Sequence, residues 1–432
     1  MQRLPFHRVF VKILSALLER FLQWPVRLTI LFATSTSICS QAQNLPSLLT
    51  ERPFNSTFSI TAYDPKAQQW GIAVATNNIY VGNSTIYVQP GVGAISVIAE
   101  TLPDYGTTGL KQLSQGRSPR EAIDVIRSKD SLADYRQVAV VDKQGQTYAF
   151  TGHALTYMKG SAGHHIGKGY VVMGNQLADS VLHAIATTFE RTSGTLAQRL
   201  LASLIAGQQA GGQVNGKQSA ALTVKGSRDE WFNQIDLRVD HSYTPFTDLQ
   251  RLLNFHYGRP YVNQSIAQLR MGNRERGLAL LQRADTLTTG WYGMYGKLAT
   301  AYILAGQDEK AIAKIEDALQ HEPAWRENLS AFYYLITYPS FRNLIDEKKF
   351  TAKDWSNAIQ QTLNLGKTTE ALTLANELAL RYPTVSYIAY LQGNVYLAIS
   401  DTSAAKGCYQ KALRLDSQNG DARRALQKIT HK

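Results

Sequence analysis

The sequence predicts an α+β chain in two parts, a helix-sheet-sheet-helix sandwich followed by an all-α helical repeat. Three observations predict it. Residues 57–98 hold four short runs with strand character, separated by Asp64-Pro65 and Pro90-Gly91 turns. Helical segments and further strands alternate in blocks as far as about His256. From about Gly258 onward the pattern is helical only, and small residues recur 34 positions apart.

The first strand, 57–63, alternates hydroxyls at Thr57, Ser59 and Thr61 with Phe58, Ile60 and Ala62 on its other face. Strands at 70–76, 83–89 and 93–98 follow on short connections, which imply antiparallel neighbours. A short helix fits 109–115. Ser118-Pro119-Arg120-Glu121 then spells a capping box with proline at the first helical position, leading into Ala122, Ile123, Val125 and Ile126. Strands at 136–141 and 147–151 flank Asp142-Lys143-Gln144-Gly145, a hairpin by composition. A strand at 169–173, helices at 178–189 and 196–209, strands at 218–224 and 234–239, and a helix from Thr244-Pro245 to about His256 complete the first part. Runs of antiparallel strands with helices in pairs argue for sheets covered by helical layers, not for a doubly wound parallel sheet.

In the second part Gly272 and Gly306 are 34 apart, as are Ala284 and Ala318, and Ala371 and Ala405. The series Tyr295, Leu298, Ala299, Tyr302, Gly306, Ala311, Ala318, Pro323 places small and aromatic residues as a tetratricopeptide repeat does. Small residues let paired helices approach while bulky ones fill the gap to the next pair. Units are expected at about 258–289, 291–323, 352–383 and 386–419, with 335–349 breaking the period. Concave helical arrays of this kind bind peptides or proteins, which makes a protein or peptide the expected partner.

A chain of 432 residues suggests two or three folded units at roughly 150 residues each. The net charge of +12 is partly local, since residues 1–42 carry Arg3, Arg8, Lys12, Arg20 and Arg27 against Glu19. The remainder is spread without a basic run, so no nucleic-acid partner is expected. The basic lead-in, the apolar run 26–33 and Ser40-Gln41-Ala42 read as a secretory signal over 1–42, with 43–56 a linker or pro-segment, 57–257 the sandwich and 258–432 the repeats. Glu19, Arg20 and Arg27 interrupt the apolar stretch, so no stable membrane span is expected after cleavage, and the protein is expected to be exported to the periplasm or outside the cell. Past that point only Cys408 remains, which excludes an intrachain disulfide.

A hydroxyl at the head of a buried strand is a nucleophile if something takes its proton. Were Thr57 the first residue of the mature chain, its α-amine, with a pKa of about 7.7–8.0, would be that base. The run Thr57-Phe58-Ser59-Ile60, Asp64-Pro65, Gly71-Ile72-Ala73-Val74-Ala75, Val81-Gly82, Gly91-Val92-Gly93-Ala94, Tyr105-Gly106, Arg136-Gln137, Asp142 with Gly145, Thr151-Gly152, Gly174-Asn175 and Gln218-Ser219-Ala220-Ala221 resembles domain-of-unknown-function family 1028, a group regarded as similar to N-terminal-nucleophile (Ntn) hydrolases. The resemblance covers about 57–256 and implies a four-layer αββα Ntn-hydrolase-like fold, with Thr57 as nucleophile and an amide or peptide as substrate. It requires the Ser56–Thr57 bond to be cut.

Asn175, at a strand end, is either an oxyanion donor or a turn residue. Arg136 and Asp142 flank one strand and either pair or hold a substrate carboxylate. Asp104 and Tyr105 are expected at the pocket mouth. His164 and His165, in a Gly-rich loop, have no acidic residue at metal-ligand spacing, so neither a metal nor a cofactor is expected. Glu100 stands where the resembled family often carries glutamine. Two function classes follow: an exported Ntn-type amidohydrolase with the repeats as a docking module, or a non-catalytic binding scaffold.

Overall fold

The structure, a computed structural model, describes residues 55–430. The expected signal at 1–42 and most of the 43–56 segment lie outside the described residues. The chain divides into two compact units between Gln234 and Ile235.

In the first unit, β1 (Thr57–Asp64) and β2 (Gln69–Thr76) form a hairpin. Asp64 closes its turn, its Oδ1 accepting from the Lys66 and Ala67 amides at 2.9 and 3.0 Å. β1 lies centrally, antiparallel to β2 on one side and to β8 (Tyr170–Leu177) on the other. With β7 (Ser161–Gly167) and β9 (Ser219–Gly226), the strand order is β9-β2-β1-β8-β7. A second antiparallel sheet runs β3 (Ile86–Gln89), β4 (Gly93–Ala99), β5 (Arg136–Asp142), β6 (Thr147–Thr151).

The two sheets pack face to face. Ser96 on β4 donates from Oγ to Ser59 Oγ at 3.1 Å, so the hydroxyl face of β1 points between the sheets. Val74, Ile98, Ala139, Val141, Val171, Met173 and Ala221 fill the rest of that interface. The outer face of the second sheet, with Ile95, Val97, Val138 and Val140, is covered by α1 (Pro103–Ser114) and α2 (Pro119–Arg127) through Leu110, Leu113, Ile123 and Ile126. The outer face of the first sheet carries α3 (Val181–Arg191) and α4 (Leu196–Gln209). There a Cβ added at Gly207 of α4 would meet Ile185 at 2.6 Å and Phe58 at 3.2 Å. The four-layer αββα order expected from the sequence is thus present. Fully buried Phe58, Ile60 and Ile72 each contribute about 1.5–3 kcal/mol of apolar transfer to it.

The capping box of α2 forms as expected: Ser118 Oγ accepts from the Glu121 amide at 3.4 Å, and Glu121 Oε2 accepts from the Ser118 amide at 2.9 Å. Three local expectations are corrected. α1 starts at Pro103, six residues before the expected 109. The Gly-rich stretch around His164 and His165 is an edge strand, β7, because pairing with β8 overrides the weak strand propensity of Gly and Ala. The helix expected to stop near His256 runs on to Arg270.

The second unit opens on a short strand, β10 (Ile235–Val239), and that long helix, α5 (Pro245–Arg270), which continues through Pro260. Gly258 is needed for packing and does not end the helix, since a Cβ there would lie 2.5 Å from Thr288 Cγ2. Next come α6 (Arg274–Leu287), α7 (Tyr292–Leu304), α8 (Asp308–His321), α9 (Ala352–Asn364), α10 (Thr368–Arg381), α11 (Ser386–Ala398), α12 (Thr402–Leu415) and α13 (Gly420–Thr430). Between α8 and α9 the chain uses 3-10 turns at Pro323–Phe332 and Glu347–Lys349 and a single helical turn at Pro339–Arg342.

One backbone device recurs where paired helices turn. Gly306, Gly366 and Ser400 have φ of 65°, 76° and 67°. At each, that residue's amide and the next one bond back to the helix just ended, as Gly306 N to Ile303 O at 2.9 Å and Gln307 N to Tyr302 O at 2.9 Å. This is the Schellman termination, and a left-handed residue is its requirement.

Candidate active site

Thr57 begins β1 with Thr76 of β2 opposite it on one side and Asn175 of β8 on the other. All three side chains point between the sheets, at the same end of the sandwich. Thr57 is 5 % exposed and Ser56, just before it, is fully buried.

The hydroxyls of Thr57 and Thr76 are 3.0 Å apart. Thr76 Oγ1 donates its single proton to the carbonyl oxygen of Ser56 at 2.9 Å. Thr57 must therefore be the donor in the hydroxyl pair. The result is a closed chain of bonds, from Thr57 Oγ1–H to Thr76 Oγ1–H to the carbonyl of the peptide bond that precedes Thr57. The Asn77 amide also donates to that carbonyl, at 3.2 Å. Two donors thus converge on the oxygen of the Ser56–Thr57 bond, as an oxyanion site would require.

Asn175 has another partner. Its Nδ2 donates to Gln137 Oε1 at 2.9 Å, reaching across to β5. Gln137, fully buried, shares its own Nε2 among the carbonyls of Gly174 (2.9 Å) and Gly163 (3.1 Å) and Thr151 Oγ1 (3.1 Å). Thr151 in turn meets His164 Nδ1 at 2.9 Å, and burial lowers the pKa of that ring below its ordinary value. Asn175 thus anchors a polar bridge between the sheets, and the donors on the Ser56 carbonyl are Thr76 and Asn77. An Asn175→Ala variant is expected to lose about 1–3 kcal/mol of stability, because Gln137 Oε1 is left buried without its donor. A urea midpoint unchanged from wild type would refute that role.

Arg136 and Asp142 end β5 at opposite tips, and they do not pair. Gln137 faces the other sheet, so its neighbour Arg136 faces the helical layer. There Arg136 Nε lies 2.9 Å from Asp130 Oδ2, with side-chain exposures of 5 % and 7 %, and Nη1 donates to the Glu100 carbonyl at 2.7 Å. Tyr105, expected at a pocket mouth, is fully buried and donates from its hydroxyl to the same Asp130 carboxylate at 3.1 Å. Burial and then that carboxylate raise its pKa above the usual tyrosine value. Asp142 Oδ1 accepts from the Gln144 and Gln146 amides, both at 2.8 Å, and shapes the hairpin. Asp104 is exposed in the first turn of α1, where a carboxylate suits the helix dipole. Arg136 and Tyr105 thus meet on Asp130 under the helical layer, while Asp142 and Asp104 stand at a hairpin and a helix start.

Sequence reasoning missed Thr76, Asn77 and Gln137. The signal for the first two was available, because a hairpin centred on Pro65–Gln68 pairs positions whose numbers add to 133, which sets 57 against 76. Among the described residues no cluster of His, Cys, Asp or Glu is placed to hold a metal ion, and no helix is long and apolar enough to cross a membrane.

An αββα sandwich with a threonine heading its central strand, followed by helix pairs of tetratricopeptide type, describes the class. The family model described as "Family of unknown function (DUF1028)" matches residues 57–249, and the chain belongs to that family. A solved structure from Silicibacter pomeroyi, described by the same family model, is 32 % identical over 46 % of this chain and 84 % of its own, with a TM-score of 0.42. The helical part is similar to YrrB, described as a TPR protein with an unusual peptide-binding site (18 % identity, 39 % of this chain, 91 % of that one, TM-score 0.22). It is also similar to a tetratricopeptide repeat protein from Parabacteroides merdae (17 % identity, 40 % and 60 %, TM-score 0.19). No curated protein matches the chain.

Proposed function

We propose that the protein is an exported amide hydrolase of the N-terminal-nucleophile type, with Thr57 as nucleophile and the helical unit as a docking module for a protein or peptide partner. The observation that carries this is the pair of donors, Thr76 Oγ1 and Asn77 N, on the carbonyl of Ser56. That carbonyl is the acyl group next to Thr57 in the chain, linked to the Thr57 hydroxyl through Thr76.

In maturation, Thr57 Oγ1 adds to the Ser56 carbonyl carbon while its proton passes to Thr76 and the Thr76 proton to the carbonyl oxygen. The C–N bond then breaks as the proton on that oxygen passes to the leaving nitrogen and the C=O re-forms, so that an ester joins Ser56 to Thr57 Oγ1. Water hydrolyses the ester, leaving the Ser56 carboxylate and a free Thr57 amine. In turnover that amine takes the Thr57 hydroxyl proton as Oγ1 attacks a substrate amide, and passes it to the leaving nitrogen. Water then releases the acyl group. The substrate oxygen takes the place of the Ser56 carbonyl, between the same two donors.

Support for the docking role comes from the helical unit itself. It bears an open cleft of about 520 Å³ lined by Phe255, Trp291, Tyr292 and Trp325 together with Arg251 and Glu322, a composition suited to peptide side chains.

The test is an intact-mass and N-terminal measurement on protein from its exporting host, which should give a chain beginning at Thr57. A chain that begins near Gln43 and stays there would refute the mechanism. With mature enzyme, Thr76→Val is expected to lower kcat by about 10²–10³-fold, the effect of one lost oxyanion donor. A fall of less than threefold would remove Thr76 from that role.

A further inference from the structure

Ser56 shows what the acyl side of the site accepts. Thr57 points between the sheets, so Ser56 points to the opposite face, toward the loop after α4. There its Oγ, on a fully buried residue, donates to Gln213 Oε1 at 3.4 Å. Gln213 is itself 5 % exposed, and its Nε2 is buried and bonds to nothing among the described residues. The loop is fixed by the Leu177–Gln213 bridge to β8 and by the Val214 amide on the Gln176 carbonyl at 3.0 Å. Whichever way the carboxamide is turned, one of its two atoms meets Ser56 and the other is left unpaired. An orphaned buried carboxamide group is left desolvated without a bond, a loss that a ligand bearing a matching group would recover.

We infer that Gln213 selects the acyl residue of the substrate, and that the site takes peptide-type amides whose acyl residue is small and carries a hydroxyl, as a seryl amide does. This deepens the reading of Thr57 as nucleophile and presupposes it. The acyl carbonyl sits between Thr76 and Asn77 and the acyl hydroxyl meets Gln213. The free atom of the carboxamide meets a second polar group of the substrate, one residue further back. No charged side chain takes part in any of these contacts. Bulkier acyl residues meet a closed wall, because Ser56 already has no exposed surface.

The experiment has two arms on the full chain. In the first, processing at residue 56 is followed by intact mass in Ser56→Ala, Ser56→Val and Ser56→Phe. Val and Phe should slow cleavage at least tenfold, and Ala should slow it less. In the second, mature wild type and Gln213→Leu are compared on N-acetyl-Ser, -Ala, -Val and -Phe coumarinyl amides. Wild type should prefer Ser to Ala by about tenfold in kcat/KM, and Gln213→Leu should bring that ratio to about one. Gln213→Glu serves as a second variant should the leucine form fold poorly, and it too should change the ratio. Cleavage and turnover that ignore both residue 56 and Gln213 overturn the selectivity while leaving Thr57 as nucleophile. Absence of cleavage and turnover in wild type overturns both.

Discussion

Thr57→Ala is expected to leave the Ser56–Thr57 bond intact and to reduce amide hydrolysis by on the order of 10⁴-fold or more, as loss of a catalytic nucleophile does. One substitution removes the attacking oxygen of maturation and of turnover together. The fold should survive, because the methyl that replaces the threonine side chain still fits the buried end of β1, and only the 3.0 Å contact to Thr76 is lost. Thermal unfolding of the variant should therefore stay close to that of the precursor. Thr57→Ser keeps the hydroxyl and should be cut, at a reduced rate. Mass spectrometry and turnover read the two consequences separately. A Thr57→Ala chain that is still cut at the same bond points to an outside protease, and one that is still active removes Thr57 from the chemistry.

The largest stability effect should come from Asp130→Asn. Asp130 and Arg136 are both nearly inaccessible, so the variant leaves a buried guanidinium without its counter-charge, at a cost of about 3–5 kcal/mol. Replacing both by leucine and methionine should recover most of that loss, since neither charge then remains to be desolvated. Burial works to raise the Asp130 pKa, but the bonds from Arg136, the Leu132 amide and Tyr105 outweigh it and hold the carboxyl below its ordinary value. A depressed folded-state pKa means that the stabilisation is complete above the unfolded value of about 3.9 and disappears as pH falls through the folded one. Urea midpoints of wild type and variant should hence differ most near pH 7 and converge well below pH 4. An equal gap at both pH values would show that the charge of Asp130 is not what matters.

Much of the fold was readable in the sequence because it depends on local signals. The alternation of Thr57 to Ala62, the Ser118 to Glu121 capping box and the 34-residue glycine spacing each carry their meaning within a few residues or at a fixed period. What could not be read depends on which face or which partner wins. Arg136 and Asp142 look like partners in the sequence, yet six residue steps of extended chain hold them about 20 Å apart. Asp130, in the turn before β5, lies on the same side of the sheet as Arg136. Asn175 reads as an oxyanion donor or a turn residue, and its bond to Gln137 arises from the packing of two sheets, which no local pattern encodes. Gly258 and Pro260 signal a helix end, and the close approach of α6 to α5 explains why a glycine stands inside that helix.

The central place of β1 also sets the order of events in time. The hydroxyl chain that would drive bond cleavage is closed within one hairpin, among the first structures a growing chain can form. Its surroundings come later, for β8 supplies the second neighbour of Thr57 and Gln213 is 157 residues from Ser56. Until those segments arrive, water competes for the Ser56 carbonyl and the hydroxyls are not held in line. On the proposed reading, Thr57 is thereby unarmed on a half-made chain and is held for attack only when the sandwich around it is complete.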